Sequence, residues 1–86
     1  MFIVETSRGA LAGLPGGKWF SAKYSSTLAQ ARADLAEVFA DKLAAEDRGE
    51  EYEREWAALA ERAKGADVGG VLSFDEFAAR IVEEAE

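Results

Sequence analysis

The chain contains no cysteine and no histidine, only one proline and one methionine, and fewer basic than acidic residues, 10 against 17. Without cysteine there are no disulfides, no thiolate zinc sites and no cysteine nucleophile. Without histidine there is no side chain whose unperturbed pKa lies near neutrality, which removes the commonest general base. No apolar run approaches the ~18 residues of a membrane span. The start, "MFIVETSRG", has no basic segment and only the short apolar run Phe2–Val4, so it does not read as a secretory leader. The sequence therefore predicts a soluble, cytoplasmic protein with no membrane association.

What is present is enough for one small core. The 86 residues are 49% hydrophobic and include two tryptophans, five phenylalanines and two tyrosines. A chain of this size buries roughly 60–65% of its unfolded surface, so one domain is expected. Charged residues make up 31%, as in a folded domain rather than a disordered tail.

The net charge of −7 is unevenly distributed. Residues 1–27 carry one acid, Glu5, against Arg8, Lys18 and Lys23; the remaining residues hold sixteen acids against seven bases, a balance of −9. Binding to a phosphate backbone needs clustered lysine and arginine, so direct nucleic-acid binding is disfavoured. A strongly acidic segment suits solubility or a protein partner with a basic surface. Self-association as a homodimer is compatible with this composition.

Two strands are predicted first. "FIVETS" and "KWFSAKY" alternate with period two, placing Phe2, Val4, Phe20, Ala22 and Tyr24 on one face, with Ile3 and Trp19 on the other. Between them, "LPGG" fits a type II turn, with Pro15 at the second position and Gly16 at the third. "GLPGGKW" superficially matches a phosphate-binding loop, but Ala12 replaces its first glycine, Trp19 its Ser or Thr, and a strand follows instead of a helix.

After Tyr24 the period lengthens to about 3.6. "TLAQ" is a capping-box pattern from Thr27 to Gln30. It opens a helix over 28–48 whose inner stripe is Leu28, Ala31, Leu35, Phe39 and Leu43. A second helix is expected over 50–64, with Tyr52, Trp56, Leu59 and Ala63 inward and Glu50 and Glu51 at its start.

The stretch "GADVGGVLSFDEFAARI" supports two readings. Its second half resembles the EF-hand loop, with Gly70 at the sharp turn, Leu72 at the apolar bridging position, Ser73, and Glu76 at the final bidentate position. The first half departs from that pattern, since Gly65 stands at position one, Asp67 at three and Gly69 at five. Calcium takes six to eight oxygens, several of them carboxylate, and only two carboxylates remain. The reading the sequence favours is a glycine turn followed by a capped helix over 73–86, with Ser73 and Glu76 as an S-x-x-E box. On that reading no metal or other cofactor is needed.

The expected fold is thus α+β: an N-terminal antiparallel hairpin (1–27), with a short third strand near 71–72, packed on three α-helices. Asp34, Glu37 and Asp41 are spaced to place carboxylates ~5–6 Å apart on one helix face, close to the spacing of successive nucleic-acid phosphates. Asp47, Glu50 and Glu51 continue the charge, and Glu53 and Glu55 extend it. The plainer alternative is a solvated face relieved by Arg32, Lys42, Arg48 and Arg54. Ile3 and Trp19 would add an apolar contact point on a sheet face that the helices leave bare. Paired-carboxylate catalysis needs a cleft and a raised pKa, and every acid falls on a polar face or a helix end. The expectation is therefore no enzyme but a small acidic protein-binding module, an inhibitor or nucleic-acid mimic of the kind mobile elements encode against host nucleases or anti-phage defence. The alternative is an antitoxin-like or regulatory subunit capping its partner through C-terminal helices.

Overall fold

A computed structural model describes residues 1–85. In it the chain forms β1 (Phe2–Arg8), β2 (Phe20–Ser25), α1 (Leu28–Ala44), α2 (Glu50–Ala63), β3 (Leu72–Phe74) and β4 (Phe77–Glu83). The strands make one antiparallel sheet in the order β2-β1-β4-β3. The chain leaves the sheet after its first hairpin, forms a helical hairpin on one face, and returns to place β4 beside β1.

The α+β class stands, but the expected three-helix layer does not: there are two helices, and residues 72–83 form a second β-hairpin instead of the helix predicted over 73–86. The last residue of that predicted helix, Glu86, lies outside the described residues. The reason is visible in β4. A central strand covered on both faces reads as a nearly continuous apolar run, and Phe77, Ala78, Ala79 and Ile81 are all buried. Phe77 and Ile81 share a face in a strand as they would in a helix, so periodicity could not separate the two. The third strand expected at 71–72 exists, shifted to Leu72–Phe74.

The turn between β3 and β4 explains the misleading capping pattern. Phe74 pairs with Phe77, and the two residues between them, Asp75 and Glu76, have φ of 50° and 59°. Two positive φ values in a two-residue loop are the mark of a type I′ hairpin, which ordinarily selects Asn-Gly. Here tertiary contacts hold the turn: the Gly9 amide donates to the Glu76 carbonyl at 2.9 Å, and the Arg48 guanidinium pairs with the Asp75 carboxylate. Glu76 is a turn residue and not a helix cap. A non-glycine residue in the left-handed region costs ~1–2 kcal/mol, part of which glycine gives back through its freer unfolded chain. Glu76→Gly is therefore expected to stabilise the domain by about 1 kcal/mol, read as a higher urea midpoint; a lower midpoint would overturn this view of the turn.

α1 starts as the sequence predicts. Thr27 is its N-cap and accepts from the Gln30 amide at 3.1 Å. The reciprocal half of the box is missing, because the Gln30 side chain donates to Asp34 at 2.9 Å. α1 ends at Ala44 rather than at residue 48, and Gly49, with φ 122°, leads into α2. Ala31, Leu35 and Phe39 of α1 and Trp56, Leu59 and Ala63 of α2 pack on Val4, Leu72, Phe77, Ala79 and Ile81 of the sheet.

β2 differs from the sequence expectation in its register. Val4 pairs with Lys23 and Glu5 with Ser21, leaving Ala22 as the extra residue of a β-bulge. The residues that meet α1 are consequently Lys23 and Ser25, and not Phe20 and Tyr24, which are 62% and 61% exposed. The opposite sheet face is not bare. The segment between β1 and β2 lies against it, so closely that a Cβ at Gly13 would come 3.2 Å from the Ala78 Cβ. Within that segment the Gly17 amide bonds the Leu14 carbonyl at 3.1 Å and Gly16 has φ 91°, as a type II turn requires.

Candidate functional site

The six acidic residues singled out in the sequence do not form one surface. Asp34 is only 7% exposed; its carboxylate accepts from the Ser25 hydroxyl at 2.5 Å and from the Gln30 side-chain amide at 2.9 Å. The Ser25 bond holds its pKa below the usual carboxylate value, with burial opposing and Gln30 and Lys23 assisting. Asp34 ties the end of β2 to α1. It is a structural residue, and the expected run Asp34, Glu37, Asp41 is broken at its first member. Glu37 is exposed and paired with Lys23 across to β2 at 3.4 Å. Asp41 is exposed one turn further along α1 and lines a cavity over the sheet.

Ile3 and Trp19 are likewise not a free apolar patch. Ile3 is 9% exposed, and Trp19 is half-buried with the Arg80 guanidinium 4.0 Å from its ring centroid. Arg80 is itself held by Glu5 at 2.9 Å. The segment between β1 and β2 covers this face around Ala78, while Tyr24, paired with Ile3, stays 61% exposed.

Asp47, Glu50 and Glu51 stand exposed around the start of α2. The three acids of its first turn, Glu50, Glu51 and Glu53, suit the positive end of the helix dipole. Glu50 pairs with Arg54 at 3.4 Å and Glu61 with Lys64 at 2.8 Å. Among the described residues Glu51, Glu53 and Glu55 have no such partner. Trp56, Leu59 and Ala63 fix the buried side of the helix, so the solvent side is centred on Glu50, Arg54 and Glu61. Glu51 and Glu55, one turn apart, flank it on one edge and Glu53 on the other. On α2 the phosphate-like spacing expected on α1 is met by one pair, Glu51 and Glu55. Glu61 was not singled out from the sequence, although its 3.6-residue phase relative to Trp56 and Leu59 places it outward.

The connection between the helices is locked by another acid. Glu46, whose side chain is 1% exposed, accepts from the Arg48 amide at 2.7 Å, from the Arg48 guanidinium at 2.8 and 3.0 Å, and from the Trp56 indole N–H at 2.7 Å. Arg48 first, and Trp56 after it, hold the Glu46 pKa down to about 2 from the usual 4.5, against the opposing effect of burial. A folded-state pKa below the unfolded one gives stability that is fully present above about pH 4.5 and lost as pH falls towards 2. The lowered Asp34 acts in the same direction. The urea midpoint is therefore expected to fall steeply between those two pH values, and Glu46→Gln should flatten part of the fall by removing the titrating group. An unchanged pH profile in that variant would contradict the lock.

Chemically the described residues contain no cluster of three or more Asp, Glu, His or Cys that could hold a metal ion. The acids with resolved pKa shifts, Asp34 and Glu46, are both shifted down, the opposite of what a carboxylic general acid needs. Among the described residues no helix is long and apolar enough to cross a membrane. Compared with family models, curated proteins and solved structures, the chain matches none.

Proposed function

We propose that the chain is a non-catalytic protein-binding module that docks on a basic partner surface through the solvent side of α2. The observation that carries this reading is the exposed, unpaired set Glu51, Glu53 and Glu55 on a helix whose other side is fixed in the core. Glu51 and Glu55, one turn apart at ~5–6 Å, with Glu53 on the other edge of the solvent side, keep their full field and need no rearrangement to meet lysine and arginine. Such a surface can occupy a site built for nucleic-acid phosphates, which makes an inhibitor or nucleic-acid mimic, of the kind mobile elements direct at host nucleases or defence complexes, the specific form proposed. It would work where those partners are, in the cytoplasm.

The antitoxin-like alternative relied on C-terminal helices as the capping element. Of the described residues after Gly65, Leu72–Phe74 and Phe77–Glu83 are strands, so that alternative keeps only α2 as a capping helix.

The test is affinity capture from host lysate with the wild-type chain and with the triple variant Glu51→Gln, Glu53→Gln, Glu55→Gln. Exposed substitutions of this kind change stability by only ~0.5 kcal/mol or a little more at a helix start. The variant is expected to fold and to lose the specifically captured protein. Equal capture by both chains would reject α2 as the docking face.

A further inference from the structure

The opposite flank of the helical layer carries a second feature, independent of the α2 surface. A cavity of about 320 Å³ opens between α1 and the β1–β2 end of the sheet, lined by Thr6, Arg8, Ala22, Val38, Asp41, Lys42 and Phe77. It lies beside the bulge in β2, whose extra residue, Ala22, lines it together with Val38. Thr6 and Arg8 point into it as alternate residues of β1, and Phe77 stands opposite Arg8 in the β1–β4 register.

The charge in this cavity is unusual for an acidic chain. Of its ten bases, Lys23, Arg48, Arg54, Lys64 and Arg80 form ion pairs, and Arg32 donates to the Ala66 carbonyl at 2.9 Å. Among the described residues Arg8, Lys18, Lys42 and Arg62 have neither kind of partner; of these, Lys42 and Arg8 come together at the Phe77 ring, at 4.2 and 5.6 Å from its centroid. Burial first, then repulsion from Arg8 and Arg48, lowers the Lys42 pKa. Asp75 and Glu46 pull the other way, but both are already bound by Arg48. A half-buried ammonium next to a second cation, with hydrogens to donate and no acceptor, is matched by an anion.

We propose that this cavity binds a small organic carboxylate, its anionic head between Lys42 and Arg8 and its apolar body against Ala22, Val38 and Phe77. The Asp41 carboxylate at the rim repels a second negative charge, which favours a monocarboxylate over a phosphate dianion. The volume suits a ligand of a few carbon atoms.

The experiment is a ¹H–¹⁵N titration with sodium butyrate, sodium acetate and sodium phosphate, each against sodium chloride at matched ionic strength. Butyrate is expected to give saturable shifts confined to Thr6, Ala22, Lys42 and Phe77, at lower concentration than acetate or phosphate, and to raise the Lys42 ammonium pKa on saturation. Lys42→Met should weaken butyrate by at least about tenfold, since it removes a charge-assisted donor. Ala22→Leu keeps both cations but fills the space on an exposed strand, and should abolish binding; it decides the matter if Lys42→Met does not fold. No saturable shift, stronger binding of phosphate than of butyrate, or wild-type affinity in a folded Ala22→Leu chain would each overturn the proposal.

Discussion

Ending the chain at Gly65 is expected to abolish cooperative folding altogether. The deletion removes β4, which pairs with β1 at all seven positions from Phe2 to Arg8, and the β3 strand beside it. It also removes Leu72, Phe77 and Ile81 from the core. Each of these side chains contributes roughly 1.5–3 kcal/mol on burial. Their sum, roughly 5–9 kcal/mol, is comparable with the whole stability of a domain of this size, about 4–13 kcal/mol. What remains of the sheet is a bulged two-stranded hairpin, marginal in water at best. Loss of ¹H–¹⁵N dispersion and of any urea transition is the expected result; a dispersed spectrum from the truncated chain would show that the sheet does not depend on β4.

Phe39→Ala is expected to cost about 3–5 kcal/mol. Phe39 is fully buried at the middle of the helix–sheet interface, stacked on Trp56 at 6.3 Å between centroids and edge-on to Phe77 at 5.9 Å. Trp56 in turn meets Phe74 edge-on at 5.0 Å, so the ring of Phe39 supports an aromatic cluster drawn from both helices and both strands of the C-terminal hairpin. Its loss leaves a cavity between the helices and β4. A urea midpoint lowered by less than 1 kcal/mol equivalent would mean that the cluster repacks freely.

The contrast between these two effects and the exposed acids shows what the sequence could disclose. The α1 stripe of Ala31, Leu35 and Phe39, the Thr27 cap, and the inward Trp56 and Leu59 were all readable, because each depends on local period and chemistry. The C-terminal hairpin was not. Its Asp75–Glu76 turn has unfavourable backbone angles held by Gly9 and Arg48, residues distant in the sequence, and its central strand carries no alternation because both faces are covered. A similar remoteness hid the role of Asp34. Nothing near it in sequence announces that Ser25, across the β2–α1 connection, will bond its carboxylate. Ile3 and Trp19 were placed on the correct sheet face, but whether the Gly-rich segment would cover that face is decided by the close approach at Gly13. The cavity at Lys42 lies beside a one-residue bulge, which strand periodicity cannot reveal.

These corrections move the candidate binding surface from α1 to α2 while keeping its chemistry. Glu37 is matched by Lys23 and Asp41 sits at a cationic cavity, whereas Glu51, Glu53 and Glu55 face solvent without a counter-charge. Binding by such a surface should be strongly screened, because exposed charges lose their reach beyond about 8–10 Å at physiological salt.

The decisive measurement is the salt dependence of affinity for the captured partner, compared between the wild-type chain and the Glu51→Gln, Glu53→Gln, Glu55→Gln variant. Affinity of the wild type should fall steeply as salt rises, and the variant should bind more weakly with a visibly shallower slope. Identical affinities and slopes for the two chains would contradict the claim that this protein acts through the acidic side of α2.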